Sequence, residues 1–336
     1  MSLSTYLIED PGEILKFLPI GTKIPVWYKF HKYILHDLNF FKAKSILLCE
    51  EGNPTGHVLV FSDGSDILYF GFFGVIDDNN EYIEFLINQL IIYAKNANFN
   101  RIIGPINIPT ILYGWGFMER NSLSTLYIGK PINPFNYNNL FLKNSFQIKS
   151  IQYTWEGNLP KTFIEKLQKY EFEDYESFKP NDLEELKSLE KIMVRLNKEN
   201  MPSQSVITPR VNELIDNYIN FALDFGGIYL FTFAKCKSTN EIVAYMASLP
   251  NPFRKNKQGI YDSFSPFIIL VDKKHRKKGL SWFLIREVVA EASQRGIQYF
   301  STPLASTQKI SLGLGEKLGL KTSRKHIIYE YVLDGD

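Results

Sequence analysis

The chain has 336 residues, 45% of them hydrophobic and 22% charged, which is the balance of a globular protein long enough for two ordinary domains. A formal net charge of +2 provides no whole-molecule field that would draw the protein to nucleic acid or to a membrane surface, so neither partner is expected. No apolar run approaches the roughly 18 residues of a membrane span, and the opening MSLSTYLIEDPGE lacks the basic start of a signal peptide, so a cytoplasmic location is the default expectation.

Residues 10 to 41 read as a loop followed by an aromatic-rich helical stretch, IPVWYKFHKYILHDLNFF. Strands are expected at Lys44 to Cys49, His57 to Phe61 and Ile67 to Val75, separated by the turn signals Glu51-Gly52-Asn53-Pro54 and Asp63-Gly64. Asp77-Asp78-Asn79-Asn80 is suited to cap a helix, and Tyr82, Phe85, Leu86, Leu90 and Tyr93 then recur at helical spacing. A short strand, RIIGPI, follows from Arg101, and Gly114-Trp115-Gly116 reads as a tight aromatic turn. Cys49 and Cys236 lie in separate strand-like segments and read as small core residues. The five histidines show no ligand spacing, so no metal site is expected.

The second half repeats this order. A strand near Glu171 to Phe178 precedes helices beginning at Asn181 and Arg210, the latter stopping at Gly226-Gly227. Ile228 to Cys236 and Glu241 to Leu249 form a hairpin, and Ile260 to Val271 is a further strand. A polar turn, Asp272 to Lys278, carries four lysines with His275 and Arg276. Gly279 and Ser281 then open a helix that runs to Arg295, followed by a strand from Ile297 to Ser301. A strand, a turn with small residues and a helix start make an anion cradle: the first helical N–H groups are unpaired, and the macrodipole favours negative charge there. The parallel between YAKNANFNRIIGPI and EASQRGIQYFSTPL suggests two copies of one α/β fold.

The run V-D-K-K-H-R-K-K-G-L-S resembles the acyl-CoA pyrophosphate loop of the GNAT acyltransferases, R/Q-x-x-G-x-G/A, with Arg276, Gly279 and Ser281 at the marked positions. Residues 170 to 334 resemble one complete GNAT module and residues 40 to 155 an eroded one, LFLKNSF and GEKLGL standing where the family writes L-Y-E-K-L-G-F. The resemblance implies two modules, residues 1–155 and 156–336, each a mixed, mostly antiparallel twisted sheet flanked by helices. It also implies acetyl-CoA or another acyl-CoA as co-substrate and an amine as acceptor. On that reading Val271, Arg276, Lys277, Lys278, Gly279, Leu280 and Ser281 bind CoA, and the N–H of Ile269 polarises the thioester carbonyl. Asp262 and Tyr261 are candidate bases on the same strand. The N-terminal copy has GVIDDNNEYIEF in place of the loop, and Asp77 and Asp78 would repel a pyrophosphate. The segment GPINIPTILYGWGFMERN resembles a stretch of bacterial proteins with a degenerate GNAT-like half, which brings no substrate with it.

The slot of the family's tyrosine acid is Gly315, and Gln308 stands where an Asn often precedes it. Three readings stay open: Tyr299, Ser301 or Thr302 serves as the acid, the thiolate leaves without one, or the site is inactive. The functions expected are, first, an acyl-CoA-dependent N-acyltransferase. The alternatives are a non-catalytic acyl-CoA-binding or regulatory protein, and a Fem-type peptidyltransferase that uses aminoacyl-tRNA, against which the intact loop at 276 to 281 argues.

Overall fold

The computed structural model describes residues 2–120, 122–158, 165, 172–200, 209–225, 227–257, 259, 261–297, 299–302, 305–306 and 319–333. Gly315 and Gln308 lie outside the described residues, as does most of GEKLGL.

The N-terminal half runs β1 (Leu3–Ile8), α1 (Pro11–Phe17), α2 (His31–Phe41), β2 (Lys44–Glu50), β3 (Asn53–Phe61), β4 (Ile67–Val75), α3 (Asn80–Asn96), β5 (Arg101–Gly104), α4 (Thr110–Tyr113), β6 (Phe117–Met118), α5 (Asn136–Lys143) and β7 (Gln147–Asn158). The C-terminal half follows with β8 (Tyr175–Phe178), α6 (Leu183–Ser188), α7 (Glu190–Asn200), α8 (Val211–Phe225), β9 (Phe231–Cys236), β10 (Ile242–Pro250), β11 (Ser263–Val271), α9 (Leu280–Gln294), β12 (Tyr299–Ser301), β13 (Ala305–Ser306) and β14 (Lys321–Val332). The meander, helix and short parallel strand expected twice are present twice. In both copies the strand after the crossover helix pairs parallel with the one before it: β4 with β5, and β11 with β12.

All these strands join one sheet, in the order β1-β2-β3-β4-β5-β14-β7-β12-β11-β10-β9-β8. Its centre is an exchange. β14, from the end of the C-terminal half, pairs with β5 of the N-terminal half, from Tyr329↔Gly104 to Val332↔Arg101. β7, the last strand of the N-terminal half, pairs with β12 of the C-terminal half, Tyr299↔Asn158 to Ser301↔Glu156. The two exchanged strands pair with each other from Lys321↔Glu156 to Glu330↔Gln147. The line drawn between residues 155 and 156 falls inside β7.

Three apolar clusters fill the layers. One packs α3 and α5 on the N-terminal half of the sheet, and another packs α9 on the C-terminal half. The third lies between the halves and takes Ile34 and Leu38 from α2, Leu196 from α7, Ile215 and Ile219 from α8, and Leu270 from β11. A buried carboxylate stitches this interface: Asp37 of α2 accepts from Asn217 Nδ2 (2.8 Å) and Tyr218 Oη (3.0 Å) of α8. At the rim, Lys32 Nζ reaches Asp224 at 2.7 Å and Tyr33 also hydrogen-bonds Asp224. With both donors facing it, Asp37 is a satisfied buried acid, and removing its partners would strand it.

Tyr329 of β14 is fully buried against Phe117 and Phe141 of the N-terminal half and donates to Asn138 Oδ1 at 2.9 Å. Tyr329→Ala is expected to cost about 3–5 kcal/mol. Because β14 also pairs with β7, hydrogen exchange in β2–β4 and in β9–β11 will accelerate together. Acceleration confined to one half would show the exchange to be energetically unimportant.

Two buried histidines make stability depend on pH. His57 bonds Ser45 Oγ (2.7 Å) and the Phe72 carbonyl (2.9 Å), and His326 bonds the Pro131 carbonyl (2.8 Å). Burial holds both well below the ordinary histidine value, at about 4. The unfolded chain binds protons more readily than the native state below pH 6.5, so this contribution is complete above that pH and is lost as pH falls toward 4. It amounts to on the order of 3 kcal/mol per histidine. Denaturant unfolding of His57→Gln and His326→Gln between pH 7 and 4.5 should each show a shallower slope than the parent, and an unchanged slope would refute the assignment.

Candidate functional site

Among the described residues, β11 pairs with β12 only at Ser263↔Tyr299 and Phe264↔Phe300, after which the two strands part. On its other edge β11 follows β10, but the register slips at Ala247/Ser248, which oppose Ile268 and Pro266 and leave Phe267 as an extra, bulged residue. Beyond the bulge, alternation decides which edge each N–H serves. Asp272 N–H donates to the Val243 carbonyl of β10 at 2.9 Å, so Leu270 and Ile268 face β10, while Val271 and Ile269 present theirs to the open side. The Val271 carbonyl agrees, since it accepts from Arg276 Nε at 3.2 Å on that side.

The turn after β11 is built by local bonds. Asp272 Oδ1 accepts from Lys274 N–H at 2.9 Å, and a single helical turn covers Lys273–His275. Lys277 and Gly279 then take positive φ, 65° and 79°, and α9 starts at Leu280 with no side-chain cap. The N–H groups of Lys277 to Ser281 find no acceptor among the described residues. A Cβ at Gly279 would stand 3.1 Å from Phe172 Cε1 and would carry the strain of a left-handed backbone. An uncapped helix start behind two left-handed residues, Lys277 and Gly279, is a concave set of N–H donors. Arg276, Lys277, Lys278 and Gly279 are exposed around it.

The cradle and the open edge of β11 line one cleft of about 500 Å³, which takes in Ile268 to Val271, Arg276, Lys277 and Gly279 to Trp282. Of the residues proposed from the sequence, Ile269, Val271, Arg276, Lys277, Gly279, Leu280 and Ser281 line it, and Lys278 sits within the same turn with Nζ 5.8 Å from the Tyr175 ring centre. Asn200, at the end of α7, also lines the cleft and was not singled out in the sequence. Its Oδ1 accepts from Lys273 N–H at 2.7 Å and its carbonyl accepts from Arg276 Nη2 at 2.9 Å, so Arg276 braces the turn against α7. An asparagine ending a helix carries no signal in one sequence that it will anchor a loop 73 positions away.

Tyr261 and Asp262 lie elsewhere. They precede β11, with Asp262 nine positions from Val271, roughly 30 Å along an extended chain. Asp262 Oδ2 is paired with Arg254 Nε at 2.8 Å, and Tyr261 bridges to Lys255, whose Nζ is 5.1 Å from the ring centre. Of the acid candidates, Thr302 Oγ1 accepts from Trp155 N–H at 3.0 Å and Tyr299 Oη donates to Glu156 at 3.4 Å. Ser301 is hydrogen-bonded to a buried lysine, Lys130.

The corresponding place in the N-terminal half is filled by the chain itself. The register of β3 on β4 slips between His57 and Leu59, and Phe72, at φ 45°, gives its N–H to Asn107 Oδ1 at 2.6 Å. A Cβ on Gly74 would stand 2.2 Å from the Ile20 carbonyl, so the segment before α2 presses directly on β4. Asn79 caps α3, its side chain accepting from Glu81 N–H at 2.9 Å. Its helix start is thus occupied by a cap, with Asp77 and Asp78 beside it. Among the described residues no three His, Cys, Asp or Glu gather as a metal would need, and no helix is long and apolar enough to cross a membrane.

Residues 193–320 match the Acetyltransferase (GNAT) family. No curated protein matches the chain. Among solved structures, a tandem GNAT protein from the clavulanic acid biosynthesis pathway superposes with a TM-score of 0.61 at 11% identity, covering 100% of both chains. A glucosamine N-acetyltransferase region of a fungal multi-domain β-N-acetylglucosaminidase gives 0.59 at 11%, over 98% of this chain and 38% of that one. A probable N-acyltransferase of Enterococcus faecalis gives 0.57 at 9%, over 99% and 73%. At such identities the superpositions speak for the fold, and the family match supports acyl transfer as the general chemistry. Residues 193–320 thus carry the sequence of the GNAT family, and the chain along its whole length has the fold of a tandem GNAT protein.

Proposed function

We propose that the protein is an acyl-CoA-dependent N-acyltransferase, with one acyl-CoA bound by the C-terminal half and none by the N-terminal half. The observation that carries this reading is the cleft itself: an uncapped helix start at Leu280 joined to the free edge of a splayed strand at Ile269 and Val271. The N–H groups of Lys277 to Ser281 are matched to a pyrophosphate, which helix starts of this kind stabilise through aligned donors and the macrodipole. Lys273, Lys274 and Lys278 add screened attraction at the rim.

An acyl thioester is already activated, so the protein's work is to hold donor and acceptor together and to stabilise the charge that grows on the carbonyl oxygen. The open-edge N–H groups of Ile269 and Val271 are donors of that kind. Arg276, through Val271 and Asn200, keeps the turn and the strand edge in fixed relation. The N-terminal half, its own splay filled by Asn107 and its helix start capped by Asn79, acts as scaffold and as a wall of the acceptor side.

Thiol release from acetyl-CoA against a panel of small-molecule and peptide amines tests the reading, alongside calorimetric titration with CoA. Gly279→Asp and Ser281→Asp each place a carboxylate where the pyrophosphate would lie, a repulsion on the order of several kcal/mol in a partly shielded site. Affinity for CoA should fall at least 100-fold in both. Unaltered affinity in the two variants, or no amine-dependent thiol release by the parent protein, would remove the proposal.

A further inference from the structure

The backbone donors after β11 divide into two sets. Those of Asp272 to Arg276 are engaged. Asp272 gives its N–H to the Val243 carbonyl, Lys274 to Asp272 Oδ1, His275 to the Asp272 carbonyl at 2.9 Å and Arg276 to the Lys273 carbonyl at 3.5 Å. Those of Lys277 to Ser281 are free among the described residues. Lys273 belongs to the first set, but its acceptor lies neither in the turn nor in the adjoining strand. It is Asn200 Oδ1 of α7, at 2.7 Å.

Asn200 is a buried and oriented anchor that also lines the cleft. Its Nδ2 donates to the Leu196 carbonyl one turn back at 2.9 Å, which leaves Oδ1 to face Lys273. α7 is itself held fast: Met193 and Leu196 are buried in the cluster between the halves, and Asn197 hydrogen-bonds Tyr245 of β10. As the last residue of α7, Asn200 carries a carbonyl that has no partner within the helix, at the negative end of the macrodipole. Arg276 Nη2 donates to that carbonyl at 2.9 Å, while its Nε donates to the Val271 carbonyl at 3.2 Å. The rigid guanidinium fork thus spans the end of β11 and the end of α7. A further tie to the turn, between Tyr175 Oη and His275 Nδ1 at 3.0 Å, comes from β8.

We propose that Asn200 is a positioning residue for the CoA pyrophosphate, with Arg276 as its second arm. The inference rests on the acyltransferase reading above and adds what holds the binding turn in shape before CoA arrives. Free N–H groups bind an anion tightly when they already converge; otherwise binding must also order the turn that carries them. The helical turn at Lys273–His275 has no buried residue, so its shape comes from ties to packed elements and not from a core of its own. Asn200 supplies two of those ties, its side chain at Lys273 and its carbonyl through Arg276. Both act before the first free donor, at Lys277, and set where the series from Lys277 to Ser281 points. Neither tie consumes one of those donors, and the side chain of Asn200 contributes no charge.

The test is calorimetric titration of the full chain and its variants with CoA, together with hydrogen exchange of the unliganded protein and acyl-transfer kinetics. Asn200→Ala should speed exchange across residues 273–281 and weaken CoA binding about 10-fold. KM for acyl-CoA should rise by a similar factor with the loss falling on KM and not on kcat, and the salt dependence of binding should stay as in the parent, since no charge is removed. Arg276→Lys keeps the charge but loses the fork, so it should weaken CoA by a like factor. The double variant should lose less than the product of the two, because both ties act on one turn. A residue needed only for packing α7 would lower stability and leave the CoA affinity of the folded protein unaltered. If Asn200→Ala does not fold, Asn200→Asp keeps size and acceptor but sets a carboxylate in the cleft, and should weaken CoA in a way that added salt partly restores. Parent-like CoA affinity in Asn200→Ala, or in Asn200→Asp where the alanine variant does not fold, overturns the positioning role and leaves the acyltransferase reading standing. A parent that binds no CoA overturns both.

Discussion

The antiparallel pair of β7 and β14 is the constraint on which the rest depends. Each half contributes its last strand to the other's sheet, and the pairing continues from Lys321↔Glu156 to Glu330↔Gln147. Without it the β5 edge and the β12 edge would both be unpaired strand edges, and the faces packed by Tyr329 and Trp155 would be open to water. The exchange also brings Glu156 and Arg324 together in the interior. A buried ion pair of this kind is weak as a source of stability, because desolvation offsets the attraction. What it does here is fix geometry. It holds β7, β14, β12 and the Lys130 loop to one point, where β11 and β12 separate.

The two halves share a plan and have diverged at one place. In the C-terminal half the bulge at Phe267 frees the edge of β11, and an uncapped helix start faces the opening. In the N-terminal half the equivalent strand also slips in register, but Asn107, Ile20 and Asn79 occupy the donors and the space. A helix start binds an anion only when its N–H groups are not already satisfied. The difference between the two halves at this place thus reduces to a few side chains that act as internal ligands.

Much of this was legible in the sequence because it is local. The cradle at 272 to 281 is a contiguous turn and helix start, and Arg276, Lys277, Gly279, Leu280 and Ser281 line the cleft, with Lys278 in the same turn. The hairpins and crossover helices follow from periodicity and turn residues. What escaped notice is nonlocal. β1, β7 and β14 were not anticipated: QIKSIQYTWEGN and KTSRKHIIYEYV alternate only in part, since their burial is set by partners from the other half. Ile228 to Leu230 form a helical turn in place of the start of β9, because Gly227 at φ 71° redirects the chain. Lys130, within GKPINP, was not singled out in the sequence. Its burial depends on Glu156, Ser301 and Arg324, which are 26, 171 and 194 positions away.

The central claim is that the turn and helix start of the C-terminal half, with the strand edge beside them, hold CoA while their counterparts in the N-terminal half do not. Hydrogen–deuterium exchange of the whole chain, with and without CoA, reads this directly from the backbone donors involved. The account predicts slower exchange across residues 269–282 on adding CoA and no change across residues 72–82. Unchanged exchange at 269–282, or equal protection at 72–82, would contradict it.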